Sequence, residues 1–236
     1  MKTITVLIPA YNEEAVLPQL FARLKDLQKT IKKYRLELLF INDGSSDDPL
    51  TMIQREGKKN SSIAYVNLSR NFGKEAGMLA GFDYAKGDAV VIIDADLQDP
   101  PELIPQMIEL WEQGYDDVYA RRRSRQGETW LKKKTSEWYY RILQKSTRIP
   151  IQRDTGDFRL LDRRCVEALK LLRESQRNTK ALFSWIGFNK KELLYDRDPR
   201  AAGDTKWNYS KLVNLAIDGI TSFTTAPLRM SSILGM

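Results

Sequence analysis

Histidine is absent from the 236 residues, and there is one cysteine, Cys165. Without imidazole, no Ser-His or Cys-His nucleophile can be assembled and no His-ligated metal site can form. A lone cysteine has no partner within the chain, so nothing in it calls for an oxidising compartment. Glycine and proline are sparse, at 13 and 9, and 42% of the residues are hydrophobic, which excludes disorder for the bulk of the chain. Long apolar runs are missing too. The longest, Ala89 to Ile93, falls far short of the ~20 residues that span a bilayer. Met1-Lys2 leads directly into a strand-like run, not into a signal peptide. Neither GxGxxG nor GxxxxGKS/T occurs, which argues against dinucleotide oxidoreductases and P-loop enzymes. Any acid, base or metal ligand must then come mainly from carboxylates.

The net charge of +7 is local in origin. Ten basic residues lie between Arg121 and Arg148, opposed only by Glu128 and Glu137, so the rest of the chain is close to neutral. The basic character belongs to one surface.

Periodicity outlines an α/β architecture. Ile4 to Ile8, Leu36 to Ile41, Ile63 to Leu68, Ala89 to Ile93 and Asp117 to Ala120 read as strands. Between them, Glu13 to Lys33 carries apolar residues at Val16, Leu20, Leu24, Leu27 and Ile31, a helical spacing. Pro49 to Lys59, Lys74 to Ala85 and Pro101 to Gln113 read as further helices. This alternation predicts a mainly parallel sheet with helices on both faces. The regularity breaks near 121. Beyond it come a long basic helix over 128–147, a short strand over 158–161, helices over 163–173 and 179–186, a strand over 190–195 and a last helix over 210–223. The expected organisation is one catalytic domain over 1–225, with halves 1–120 and 121–225. Residues 226–236 form an apolar stub that either packs on the domain or leads to a membrane segment beyond it.

Ligands of open parallel sheets gather beyond the carboxyl ends of the strands. Here those ends are acidic: Pro9-Ala10-Tyr11-Asn12-Glu13-Glu14, Asn42-Asp43-Gly44-Ser45-Ser46-Asp47, and Asp94-Ala95-Asp96-Leu97-Gln98-Asp99. Two residues apart in extended backbone, Asp94 and Asp96 share a face. Adjacent carboxylates repel unless a cation joins them, and an all-oxygen set suits Mg2+ or Mn2+, which bridges to substrate phosphates. For either aspartate taken singly a turn or a helix cap before Pro101 is the favoured account, whereas for the pair after Val90 to Ile93 the shared cation is. Asp43 can accept hydrogen bonds from a base or ribose, and Tyr11 can stack or simply pack.

Taken together, these segments with Leu68-Ser-Arg-Asn-Phe-Gly-Lys74, Asp94 to Glu102, Thr155 to Leu160 and Arg200 to Lys206 resemble family-2 glycosyltransferases of the GT-A fold. The similarity is to the polyprenyl-phosphate subgroup, which includes dolichyl-phosphate mannose synthases and undecaprenyl-phosphate glucosyltransferases. The resemblance implies that Pro9, Tyr11 and Glu13 line a nucleotide pocket, with Ile41 and Asp43 at the base and ribose. It implies that Asp94 and Asp96 hold the metal and donor diphosphate, with Ala95 supplying backbone and Gln98 close to the metal. Arg121, Arg200 and Lys206 would bind phosphate, and Asp157 would stand near the acceptor. The implied reaction is inverting transfer of a sugar, glucose from UDP-glucose, to a polyprenyl phosphate. The alternatives are mannose from GDP-mannose, or extension of a polysaccharide.

Around the basic helix, Leu131, Trp138 and Ile142 make an apolar stripe flanked by lysines, arginines, Tyr139 and Tyr140. Such a helix can lie on an anionic membrane at ~1 kcal/mol per basic residue, or pack its aromatics on the core. The expectation is a peripheral enzyme at the cytoplasmic face, integral if a C-terminal membrane segment follows; oligomeric state is not legible. A nucleic-acid-binding role, suggested by a pI near 9.3, is disfavoured because the acidic strand ends would repel a phosphate backbone.

Overall fold

The computed structural model describes residues 1–123, 155–174 and 177–196. The chain divides into two compact units. The first comprises 1–123, 155–172 and 188–203, and the second comprises 124–154, 173–187 and 204–236.

The first unit is built on a seven-stranded sheet: β1 (Thr3–Ala10), β2 (Arg35–Asn42), β3 (Ile63–Asn67), β4 (Ala89–Ile92), β5 (Asp117–Arg122), β6 (Thr155–Asp162) and β7 (Lys190–Tyr195), in the order β3-β2-β1-β4-β6-β5-β7. Its helices are α1 (Leu17–Thr30), α2 (Pro49–Gly57), α3 (Lys74–Tyr84), α4 (Ile104–Glu112), entered through a 3-10 turn at Pro101–Leu103, and α5 (Arg163–Leu171). Of the second unit, α6 (Thr179–Trp185) is described, with Asn178 capping it through Ala181 N. The expected basic helix over 128–147, the helix over 210–223, the stub 226–236, Arg200 and Lys206 lie outside the described residues.

The apolar spacing of the first helix places Val16, Leu20, Leu24, Leu27 and Ile31 on one buried face. The helix starts later than Glu13, because Glu13 to Val16 form a turn in which Val16 N and Leu17 N both donate to Glu13 O, and Pro18 suits the first helical turn. One core joins α1 and α4 to Ile4, Val6, Ile8, Phe158 and Leu160. The opposite face is covered by α3, which packs on β1 and β2. Gly81 makes that approach possible, since a Cβ there would meet Leu7 Cδ1 at 2.2 Å.

Most strand pairs are parallel, as alternation predicts. The exception is β6, which runs antiparallel between β4 and β5. It and β7 come from beyond residue 121, so the break in sequence regularity is not a break in the sheet. At this junction Arg159 and Asp117, both wholly buried, form an ion pair at 3.0 Å with Lys190 at 3.9 Å. Burial pushes the Asp117 carboxyl above its ordinary value, against the pull of Arg159 and Lys190. Cys165, fully buried on α5, has its thiol pushed up chiefly by burial, which makes it inert.

Candidate active site

Every acidic turn singled out in the sequence lies at the carboxyl edge of β1, β2 or β4. The first two are locked together by reciprocal hydrogen bonds. Asn12 N donates to Ser45 Oγ (3.0 Å) and Ser46 N to Asn12 Oδ1 (2.8 Å), while Glu14 N donates to Asp47 Oδ2 (3.0 Å) and Asp48 N to Glu14 Oε2 (2.9 Å). Asn12 supports this with a left-handed φ of 53°, a conformation asparagine tolerates better than most residues. The lock sets the level of Tyr11, which is exposed, and of the half-buried Pro9 and Glu13.

Asp43 is nearly buried, and its two carboxylate oxygens accept from Phe72 N (2.8 Å) and Gly73 N (2.9 Å). It therefore fixes the entry to α3, a structural task the sequence did not disclose. Gly44 follows at φ 61°, where a Cβ would lie 2.2 Å from the Arg70 carbonyl carbon; only glycine lets these two loops touch. Ile41 is fully buried and faces Gly77 of α3. Its side chain belongs to the core and offers no surface to a base.

The turn after β4 is tight. Leu97 adopts φ 59° with its side chain buried, and Gln98 N donates to Asp96 Oδ1 (3.1 Å). A non-glycine residue held in the left-handed region costs on the order of 1–3 kcal/mol, sustained here by core burial of Leu97. Asp96 and Ala95 are buried, whereas Asp94 and Gln98 are half-exposed.

β6 supplies the acid that the sequence alone could not position. Because it runs antiparallel, its first residues face the carboxyl edge, and Ile92 pairs with Arg159. Continuing that register by two residues sets Asp157 opposite Asp94. Lys74, the first residue of α3, joins them: its Nζ is 2.6 Å from Asp94 Oδ1 and 2.6 Å from Asp157 Oδ2. Desolvation works to lower the Lys74 pKa, but Asp157 and then Asp94 outweigh it and hold the ammonium above the ordinary lysine value. Lys74 ends the segment Leu68 to Lys74, for which the resemblance implies no role. One signal was available: a cation at a helix N-terminus opposes the helix dipole, so a lysine there needs acidic partners.

The arginines after β5 separate by face. Arg121 pairs with Glu192 at 2.6 Å and makes no described contact with the acidic cluster. Arg122 points the other way, as strand alternation requires. It stands opposite Tyr195 in the β5–β7 register, and its Nε is buried with no acceptor among the described residues. Tyr195 donates to Asp99, just past the Asp94–Gln98 turn. Burial, then Asp99, push its phenol up, while Arg122 acts in the opposite sense.

A hard divalent cation fits this donor set. Asp94 and Asp96 offer carboxylate oxygens, and an ammonium already lies on Asp94 where positive charge is favoured. Among the described residues no three His, Cys, Asp or Glu side chains converge, so an ion here would complete its shell with water and substrate oxygens, as Mg2+ and Mn2+ do.

Comparison with known proteins bears on the family and the fold. Residues 5–170 match the family model for glycosyl transferase family 2. An uncharacterised glycosyltransferase of Synechocystis is 50% identical over 232 residues, 98% of this chain and 73% of that protein. The bactoprenol glucosyl transferase of Shigella phage SfV is 42% identical over 233 residues, 99% of this chain and 76% of its own. Among solved structures, a Pyrobaculum calidifontis mannosyltransferase in complex with GDP-Man and Mn2+ superposes with a TM-score of 0.61 at 17% identity, covering 89% of this chain and 59% of that one. Glucosyl-3-phosphoglycerate synthase from Mycobacterium tuberculosis, with Mn2+ and UDP-glucose, gives 0.60 at 18%, covering 91% and 75%. The sheet order, the acidic carboxyl edge and these matches lead to one conclusion: the chain belongs to glycosyl transferase family 2 and is a glycosyltransferase of the GT-A fold.

Proposed function

We propose that the protein transfers glucose from UDP-glucose, with inversion, to a polyprenyl phosphate such as undecaprenyl phosphate. The observation that carries this reading is the similarity to the phage bactoprenol glucosyl transferase over 99% of this chain and 76% of that protein, on a chain whose Asp94, Asp96 and Asp157 share one sheet edge.

In this reading Asp94 and Asp96, with Gln98 nearby, hold Mg2+ or Mn2+, whose chemistry is to neutralise the departing diphosphate. Pro9, Tyr11, Glu13 and the backbone at Ile41 and Ala95 contact the nucleotide, and Asp43 keeps the adjoining loop in place. A lipid phosphate is already an anion at neutral pH, so the acceptor needs positioning more than deprotonation. Asp157 then orients the reacting groups and answers the positive charge that develops on the sugar. Arg122, with a buried and unmatched Nε, is assigned to the donor phosphates in preference to Arg121, which Glu192 engages. Arg200, Lys206 and the basic stretch over 128–147 are assigned to phosphate and to an anionic membrane surface at the cytoplasmic face. No helix among the described residues is long and apolar enough to cross a membrane.

The test is a panel of UDP-glucose, UDP-GlcNAc and GDP-mannose against short polyprenyl phosphates, with Mg2+ or Mn2+, reading released nucleoside diphosphate. Turnover with UDP-glucose that requires the lipid phosphate supports the proposal. A preference for GDP-mannose replaces the donor, and turnover on an oligosaccharide in place of the lipid phosphate rejects the acceptor.

A further inference from the structure

Lys74, at the start of α3, reaches residues at the ends of two strands distant in the sequence. Its Nζ lies 2.6 Å from Asp94, just past β4, and 2.6 Å from Asp157 at the start of β6. The origin of α3 is set independently, by Asp43 gripping the amides of Phe72 and Gly73. The ammonium is thus delivered to the acidic edge by a fixed backbone. Its location at a helix N-terminus costs dipole energy, and its side chain remains 39% exposed, so burial of its stem does not explain it. What it gains is the neutralisation of two carboxylates that would otherwise repel.

We infer that Lys74 is a positioning residue with two tasks: it holds Asp157 in place for the reaction, and it occupies Asp94 in competition with the divalent cation. Loading of the ion is then an exchange of one cation for another on Asp94, while the Lys74–Asp157 pair persists. This rests on the proposed function, in which Asp94 and Asp96 are the ligands.

Removing the ammonium has opposite consequences for binding and for turnover. Lys74→Met leaves Asp94 without its competing charge, so Mn2+ binds about tenfold more tightly in the absence of donor. The same change removes the Lys74 contact from Asp157, and kcat falls about 10²-fold, the scale of a small misplacement in an active site. A lysine with only a structural role would instead loosen the site, weakening metal binding and turnover together.

The experiment titrates Mn2+ into the full chain without nucleotide, reading free Mn2+ by electron paramagnetic resonance, for wild type, Lys74→Met, Lys74→Arg and Asp96→Asn. Circular dichroism melting confirms that each variant is folded. Tighter Mn2+ binding by Lys74→Met with reduced kcat, and wild-type Mn2+ affinity with partly recovered kcat in Lys74→Arg, are the expected results. If wild type binds Mn2+ through Asp96 and Lys74→Met binds it no more tightly, the inference on Lys74 is overturned and the metal reading survives. If Mn2+ binding is unchanged by Asp96→Asn, the metal reading fails and the inference falls with it. Should Lys74→Met not fold, Lys74→Arg decides: a loss of Mn2+ affinity in a variant that keeps the charge overturns the competition.

Discussion

Two charge clusters in this protein use the same ingredients to different ends. In the interior, Arg159 and Asp117 are fully buried and paired at 3.0 Å, with Lys190 at 3.9 Å. At the carboxyl edge, Lys74 lies between Asp94 and Asp157, with Asp96 close by, and water reaches Lys74 and Asp94. Burial of both Arg159 and Asp117 closes the interior cluster to ligands. At the edge, among the described residues, Lys74 bridges Asp94 and Asp157 and is itself part-exposed, so the group is open to a ligand. Access, more than the presence of ion pairs, separates a group locked inside the sheet from one placed where a ligand can reach it. A buried pair contributes little net stability against an apolar substitute, yet loss of one partner is costly.

This contrast can be broken by substitution. The largest effect falls at the edge. Asp96→Ala should lower transfer by at least about 10³-fold while leaving the melting transition close to wild type; unchanged turnover, with EDTA present, would remove any metal role. In the interior the roles reverse. Asp117→Asn removes the buried charge that faces Arg159 and should destabilise the fold by about 3–5 kcal/mol, measured by urea unfolding, yet kcat well below the melting temperature should stay near wild type. A kcat loss matching that of Asp96→Ala would erase the distinction between the clusters. Gly44→Ala is intermediate, since it forces the loops carrying Asp43 and Arg70 apart at a left-handed position. It should cost about 1–3 kcal/mol and raise the KM for the donor more than it lowers kcat.

The smallest effect belongs to a third site, remote from both clusters. Tyr34 donates to Glu112, and burial, followed by that carboxylate, pushes its phenol from 10.0 to about 12. A group whose folded pKa is raised contributes stability that is intact below its unfolded value and lost as pH rises through the folded one. Unfolding free energy should therefore fall between pH 10 and about 12 through this phenol, and Tyr34→Phe should make that fall shallower. Equal slopes for the two proteins would show that Tyr34 carries none of it.

Much of the framework was legible because it depends on local periodicity. The spacing from Val16 to Ile31 marks a one-sided helix, and the apolar run ending at Ile93 marks a strand covered on both faces. The acidic turns stood out because ligand sites of parallel sheets lie at strand ends. Three things were not legible, and each concerns a partner distant in the chain. The direction of β6 depends on its pairing with β4 and β5, not on its own composition. The choice between Arg121 and Arg122 depends on strand phase, which a bulge between Tyr119 and Arg121 complicates. Lys74 looked like any helix-start lysine until the two acids were beside it.

By itself, the order of residues determined which chemistry was available: carboxylates without imidazole or paired thiols, set on turns that close apolar strands. It also determined the helix faces and strand cores, since side-chain periodicity follows directly from backbone geometry. Only the tertiary structure decided that Asp157 stands beside Asp94, that Asp43 holds the entry to α3, and that Lys74 lies between two acids. Those contacts span 20 to 83 positions of chain, and no local preference encodes them; they follow from the register and direction in which the strands pack.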